Sequence, residues 1–141
     1  MIKHNGKTIK KFGKYNVIDC RICKFIHIIP VPSDQELNSF YDNEFYQKTK
    51  SNYISKNENE MDYWDLVFDE KLVTIEKLIS SKSKRILDIG SGPGFFLRRA
   101  KRRGWNVIGV EPSPLASNYA NKQNIPTIQK FFHEVTPSEI G

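Results

Sequence analysis

The 141-residue sequence predicts an α/β fold whose C-terminal half is built on a parallel sheet, preceded by a small antiparallel β segment and helices. Three observations predict it. From Ile86 to Phe132, strand-like and helix-like runs alternate, a grammar that places the strands parallel with right-handed crossovers. Directly after the first of these strands comes a turn with three glycines spaced two apart, Gly90, Gly92 and Gly94. Between Glu60 and Ser81, apolar residues recur at three- and four-residue steps, the mark of an amphipathic helix leading into that strand.

The elements follow in order. Asn5-Gly6 is a hairpin-turn signal between the first short strands. YNVIDC and KFIHIIP, rich in β-branched and aromatic residues, flank the CRIC turn, and Pro30 and Pro32 end any strand there. At Ser33 the pattern changes to a capping box, with Ser33 as N-cap and Glu36 three residues on, opening a short helix with Leu37, Phe40 and Tyr41 on one face. The polar stretch Gln47 to Asn59 has no sustained period and reads as a loop. In the long helix Met61, Trp64, Phe68, Leu72, Ile75 and Ile79 form the stripe, which Leu66, Val73 and Leu78 widen. Ile86 to Ile89 is a short buried strand. Phe95 to Arg103 is helical and stops at Gly104. Trp105 to Val110 is the second strand, Ser113 to Gln123 the second helix, and Ile125 to Phe132 the start of a third strand.

Composition narrows the class. Hydrophobic residues at 38% and charged residues at 27% suit a folded globular chain. No run approaches the roughly 20 apolar residues that cross a bilayer, so no membrane partner is expected and the cytoplasm is the default location. The net charge of +6 suits nucleic acid or acidic small molecules. Much of the excess lies in Lys82, Lys84 and Arg85 and in Arg98, Arg99, Lys101, Arg102 and Arg103. The second run reads as a solvated helix face, with a phosphate-binding patch as the alternative.

The chemistry concentrates around the glycines. In an open parallel sheet, ligands bind at the carboxyl ends of the strands, where the first βα turn presents backbone N–H groups. Gly90, Gly92 and Gly94 let the turn bend and a ligand approach. Phe95 stands where a dinucleotide fingerprint has its third glycine, and no Walker lysine follows the loop. Glu111 ends the second strand about twenty residues on, where a carboxylate can accept hydrogen bonds from both hydroxyls of a ribose. Asp88, in a strand that would prefer Val or Ile, suits a cationic ligand. Nucleoside, amino acid and sulfonium together describe S-adenosylmethionine.

ILDIGSGPGFFL followed by VIGVEPS closely resembles the first two motifs of class I S-adenosylmethionine-dependent methyltransferases. The resemblance implies a Rossmann-like fold in which the loop formed by Asp88, Gly90, Ser91, Gly92 and Gly94 wraps the methionine and ribose portion of the cofactor, while Glu111 holds the ribose hydroxyls. The leader CRICKFIHIIPVPSDQELNSFY is similar to that of a bacterial methyltransferase subgroup with a zinc-ribbon-like C-x-x-C. Some of its members methylate nucleotide-linked sugars or other surface-polysaccharide and secondary-metabolite precursors. The implied segments are a leader at 1–32, a helical lid and lead-in helix at 33–81, and the first half of a methyltransferase domain at 82–141.

That family's sheet has seven strands in the order 3-2-1-4-5-7-6, of which this chain supplies the first two or three. It is therefore expected to be a fragment: a truncated remnant, or the cofactor half of an enzyme completed by a partner chain. A small-molecule methyl acceptor is expected; an RNA methyltransferase using the basic helix is the further alternative. No catalytic base is assigned, and His133 reads as a surface residue. Tyr41, Tyr46, Tyr53 and Tyr63 lie in or near the segment expected over the cofactor, where aromatic rings can shelter a sulfonium. A structural zinc needs four ligands, usually two C-x-x-C knuckles, and only Cys20 and Cys23 form one. His4 or His27 would have to complete the set. His27 reads as an ordinary strand residue, so the thiols are expected to pack as small apolar groups with no metal.

Overall fold

The computed structural model describes residues 3–41, 52–79 and 84–141. The chain divides into two compact units, Met1–Leu37 and Asn38–Gly141.

The N-terminal unit is a three-stranded antiparallel sheet of β1 (Gly6–Phe12), β2 (Tyr15–Cys20) and β3 (Ile26–Ile29), in that spatial order. The first hairpin turns at Gly13 and Lys14, not at Asn5-Gly6 as the dipeptide suggests; Gly13 has φ +53°. Gly6 instead pairs with Cys20 inside the ladder, where a Cβ would lie 1.9 Å from the Asp19 carbonyl oxygen. Glycine serves close strand approach here rather than a turn. β2 and β3 flank the CRIC turn as expected, and Pro30 follows β3 directly.

Helix α1 (Asp34–Phe40) opens with the expected capping box. The Glu36 amide donates to Ser33 Oγ at 3.3 Å, and the Ser33 amide donates back to Glu36 Oε2 at 3.0 Å. Tyr15 Oη donates to Glu36 Oε1 at 2.9 Å and Lys14 pairs with the same carboxylate. These contacts fasten the first turn of α1 to β2 within the N-terminal unit, which ends at Leu37.

The C-terminal unit carries α2 (Tyr53–Asn59), α3 (Met61–Leu78), β4 (Arg85–Ile89), α4 (Phe95–Arg102), β5 (Asn106–Val110), α5 (Pro114–Lys122), β6 (Thr127–Ile128) and α6 (Pro137–Ile140), with a 3-10 turn at Phe132–Glu134. Residues 53–59, read from sequence as loop, form helix α2; residues 47–51 lie outside the described ones. Polar composition hides this helix. Its one buried residue is Asn57, whose Nδ2 donates to the Tyr53 carbonyl at 2.7 Å.

Strands β4, β5 and β6 form a parallel sheet in that order, with Ile86 opposite Val107, Asp88 opposite Gly109 and Val110 opposite Ile128. Helices α3, α4 and α5 contribute Leu72, Leu97, Ala100 and Ala120 to a core that also holds Trp105, Val107 and Ile125. This is the Rossmann-like arrangement that the alternating pattern predicts.

Two readings of the helices change. Leu66, Val73 and Leu78 do not widen the buried stripe of α3; all three are exposed. The positions beside the stripe belong to carboxylates, and these meet the basic run of α4. Arg99 Nε donates to Asp69 Oδ1 at 2.9 Å, and Arg103 reaches Glu76 Oε2 at 2.6 Å. Arg99 and Arg102 both lie 3.3 Å from Asp65 Oδ2. Trp105 Nε1 donates to Glu76 Oε1 at 3.2 Å. What reads as a solvated basic face is thus largely one side of an ion-pair lattice joining two helices.

Candidate functional site

The loop after β4 is stitched to the end of β5. The amides of Gly90 and Ser91 both donate to the Val110 carbonyl, at 2.7 and 3.2 Å, and the Gly94 amide donates to Ser91 O at 3.0 Å. Gly90, at φ +76°, has nothing within 4 Å of where a Cβ would stand, so its backbone is open to an approaching ligand. Gly94 has the same φ but another task. A Cβ there would lie 3.1 Å from Ile125 Cγ2 and 3.2 Å from Ala120 Cβ, so its bareness lets the start of α4 pack tightly beside α5. The close-packing duty that a dinucleotide fingerprint gives to its third glycine falls here to the residue before Phe95.

Glu111 lies just past β5 and is only 4% exposed. Its Oε2 accepts the Gly92 amide at 2.9 Å and its Oε1 accepts the Ser113 amide at 2.9 Å. A carboxylate oxygen has two lone pairs, so each oxygen keeps one for a further donor. Burial pushes the Glu111 carboxyl above its ordinary range, against the pull of the Ser113 and Gly92 amides. Asp88 is also raised, first by burial and then by the charge of Glu111, with Lys71 opposing. Ser91 Oγ is buried without a hydrogen-bond partner. Two desolvated carboxylates and an orphaned hydroxyl make a locus that favours a ligand rich in donors.

Glu111 and Ser91 border a cleft of ≈ 630 Å³ at the carboxyl ends of the parallel strands. Of the residues expected from sequence, Gly90, Ser91, Gly92 and Glu111 line it; Asp88 and Gly94 do not. Asp88 shares the register row of Gly109 within the sheet, one pair short of the strand ends. Tyr41 and Tyr53 do reach the cleft, whereas Tyr63 is exposed on α3 and Tyr46 lies outside the described residues. Sequence reasoning missed Lys130, Phe131 and Phe132, and it set His133 aside as a surface residue. His133 is exposed, yet it lies on the cleft wall stacked on Phe131 at 5.8 Å. Their signal was positional: they follow the third strand, whose carboxyl end opens on the same side.

In the N-terminal unit, His4, Cys20, Cys23 and His27 each offer a ligand atom, and these atoms all lie within 4.8 Å of one another. His27 is therefore not an ordinary strand residue. Burial pushes the Cys20 thiol up, but the backbone N–H groups of Cys23 and Ile22 and the neighbouring imidazoles outweigh it and hold the thiol well below its usual range.

Comparison with known proteins agrees with the fold. Over 31 residues, 22% of this chain and 12% of the relative, the sequence is 52% identical to an uncharacterized methyltransferase of Mycobacterium sp. strain KMS, and equally to one from strain JLS. The plantazolicin methyltransferase BpumL in complex with SAH superposes with a TM-score of 0.53 at 23% identity, covering 72% of this chain and 40% of that one. Its complex with a triazolic desmethylPZN analog and SAH gives 0.54 at 22% identity, covering 71% and 40%. The matched segments thus cover only 12% of these curated relatives and 40% of these solved structures. Residues 62–139, which carry the glycine loop, Glu111 and the sheet between them, match the family model described as a methyltransferase domain, and the chain belongs to that family.

Proposed function

We propose that the chain binds S-adenosylmethionine in the cleft and forms the cofactor-holding portion of a methyltransferase for small molecules. The observation that carries this is the buried Glu111 carboxylate, fixed by Gly92 and Ser113 with one lone pair left on each oxygen. Two vicinal ribose hydroxyls supply two donors at the spacing of one carboxylate. The open backbone at Gly90 and the unpaired Ser91 Oγ suit the amino-acid end of the same ligand. Tyr41, Tyr53, Phe131 and Phe132 offer aromatic surface suited to a sulfonium. When bound, the cofactor supplies an electrophilic methyl group; the chain's own residues bind and orient it and keep water away.

The acceptor is a small molecule such as a sugar nucleotide or a surface-polysaccharide or secondary-metabolite precursor. The resemblance of the leader supports this class. The RNA alternative loses ground because Arg99 and Arg103 are engaged by Asp65, Asp69 and Glu76.

Calorimetric titration with S-adenosylhomocysteine tests the reading. The chain should bind, and Glu111→Ala should weaken binding about 10- to 100-fold, from the loss of hydrogen bonds to a charged acceptor. No heat with the parent chain, or equal affinity in the variant, overturns it.

A further inference from the structure

We propose that His4, Cys20, Cys23 and His27 bind one zinc ion as a closed, structural site in the N-terminal unit. The four come from three places: the segment before β1, the C-x-x-C turn after β2, and the middle of β3. Strand pairing brings them together. Ile18 pairs with His27 across β2 and β3, and the Arg21 amide donates to the Asn5 carbonyl at 2.9 Å, tying the His4 segment to the knuckle.

The donor geometry suits a tetrahedron. With Zn–S near 2.3 Å and Zn–N near 2.0 Å, ligand atoms of such a site stand about 3.3–3.8 Å apart. Cys20 Sγ and His4 Nδ1 are 3.4 Å apart, and the widest pair of the four is within 4.8 Å, so a small contraction closes the set. The imidazoles are held in place. His27 Nδ1 lies 3.0 Å from the Ile28 carbonyl, which fixes the proton there and leaves Nε2 as the lone-pair nitrogen. That Nε2 is buried with no hydrogen-bond partner. The rings of His4 and His27 meet edge to face at 5.0 Å rather than lying parallel. Lys24, at φ +64°, turns the chain back after the knuckle, and its amide donates to the Cys20 carbonyl at 3.0 Å.

The unit also needs what a metal supplies. Its fully buried side chains among the described residues are Ile18 and Cys20, while Phe12, Phe25, Ile26 and Val31 are exposed. A segment below about 40 residues with so small a core is held by disulfides, metals or association. Two thiolates with two imidazoles select zinc over the harder cations, and four protein ligands leave no open position for catalysis. Zinc takes both cysteines in their thiolate form.

The full chain, expressed with zinc and dialysed into metal-free buffer, should retain one zinc per chain by elemental mass spectrometry. Cobalt(II) exchanged into it should show thiolate charge-transfer absorption and the intense d–d bands of a tetrahedral site. Cys20→Ser with Cys23→Ser should abolish both, and His27→Gln should alter the d–d bands. Zinc should also slow alkylation of the two thiols in the unmutated chain, and a chelator should restore the rate. Background zinc, an octahedral cobalt spectrum, alkylation indifferent to zinc, or a cobalt spectrum unchanged in both His4→Gln and His27→Gln would each overturn the proposal. The cofactor cleft plays no part in these readouts.

Discussion

Gly109 shows how one missing atom places another. It lies in β5 opposite Asp88, and a Cβ there would stand 2.5 Å from Ser91 Oγ and 3.0 Å from Thr127 Oγ1. The bare strand position is what admits the serine of the glycine loop. Gly109→Ala should therefore destabilise the chain by about 1–3 kcal/mol, the usual range for overpacking. In a thermal-melt cycle Ser91→Gly should recover most of that loss in the double variant. A loss that is simply additive would show that the two residues do not press on each other. At this scale the sequence displayed the first motif clearly, because loop glycines and a terminal carboxylate are local signals. It did not display Gly109, whose reason is a side chain eighteen residues away. Nor did it separate Gly90, which faces the cleft, from Gly94, which faces Ile125 and Ala120.

Between elements, the contact that matters most outside the core is the ion-pair lattice of α3 and α4. Glu76 is its hub, receiving Arg103, Trp105 Nε1 and Lys84. Arg103, ahead of the opposing desolvation, is the main reason its carboxyl is lowered from 4.5 to about 2. A depressed carboxylate contributes stability that is present above its unfolded value and lost as pH falls toward its folded one. Acid titration of the melting temperature should thus show a decline between 4.5 and about 2, and Glu76→Gln should flatten part of it. A variant whose acid profile matches the parent's would remove the lattice from the account. The helices themselves were legible from spacing: α3, α4 and α5 appear within one to three residues of the periodic stretches. Their pairing was not, since a run of arginines looks the same in sequence whether it meets water or the carboxylates of another helix. The helix α2 failed for the opposite reason, having no apolar stripe to betray it.

Over the whole molecule, charge and architecture divide. Residues 1–37 hold seven Lys or Arg against three Asp or Glu, a surplus of four, which leaves only two of the net +6 for the remainder. Lys7, Lys10 and Lys11 are exposed along β1, an edge strand, where lysines discourage pairing with other chains. Any weak RNA binding should then depend on the leader. Changing those three lysines to glutamine should reduce the salt slope of binding by roughly 2–3, while Arg99→Gln should leave it nearly unchanged. The reverse result would reinstate α4 as a polyanion surface. The composition alone could not locate this surplus, because the count ignores which charges are answered. The leader's four metal-ligand candidates were all visible as letters, yet His4 stands sixteen residues before Cys20 and only strand pairing reveals them as neighbours. Gly90, Ser91 and Gly92 are all anchored on Val110 or Glu111, so the two halves of the cleft floor form a closed ring before any ligand arrives. Such a receptor is moulded in advance: a nucleoside stripped of its amino-acid tail should meet the same floor, forfeiting contacts but incurring no rearrangement.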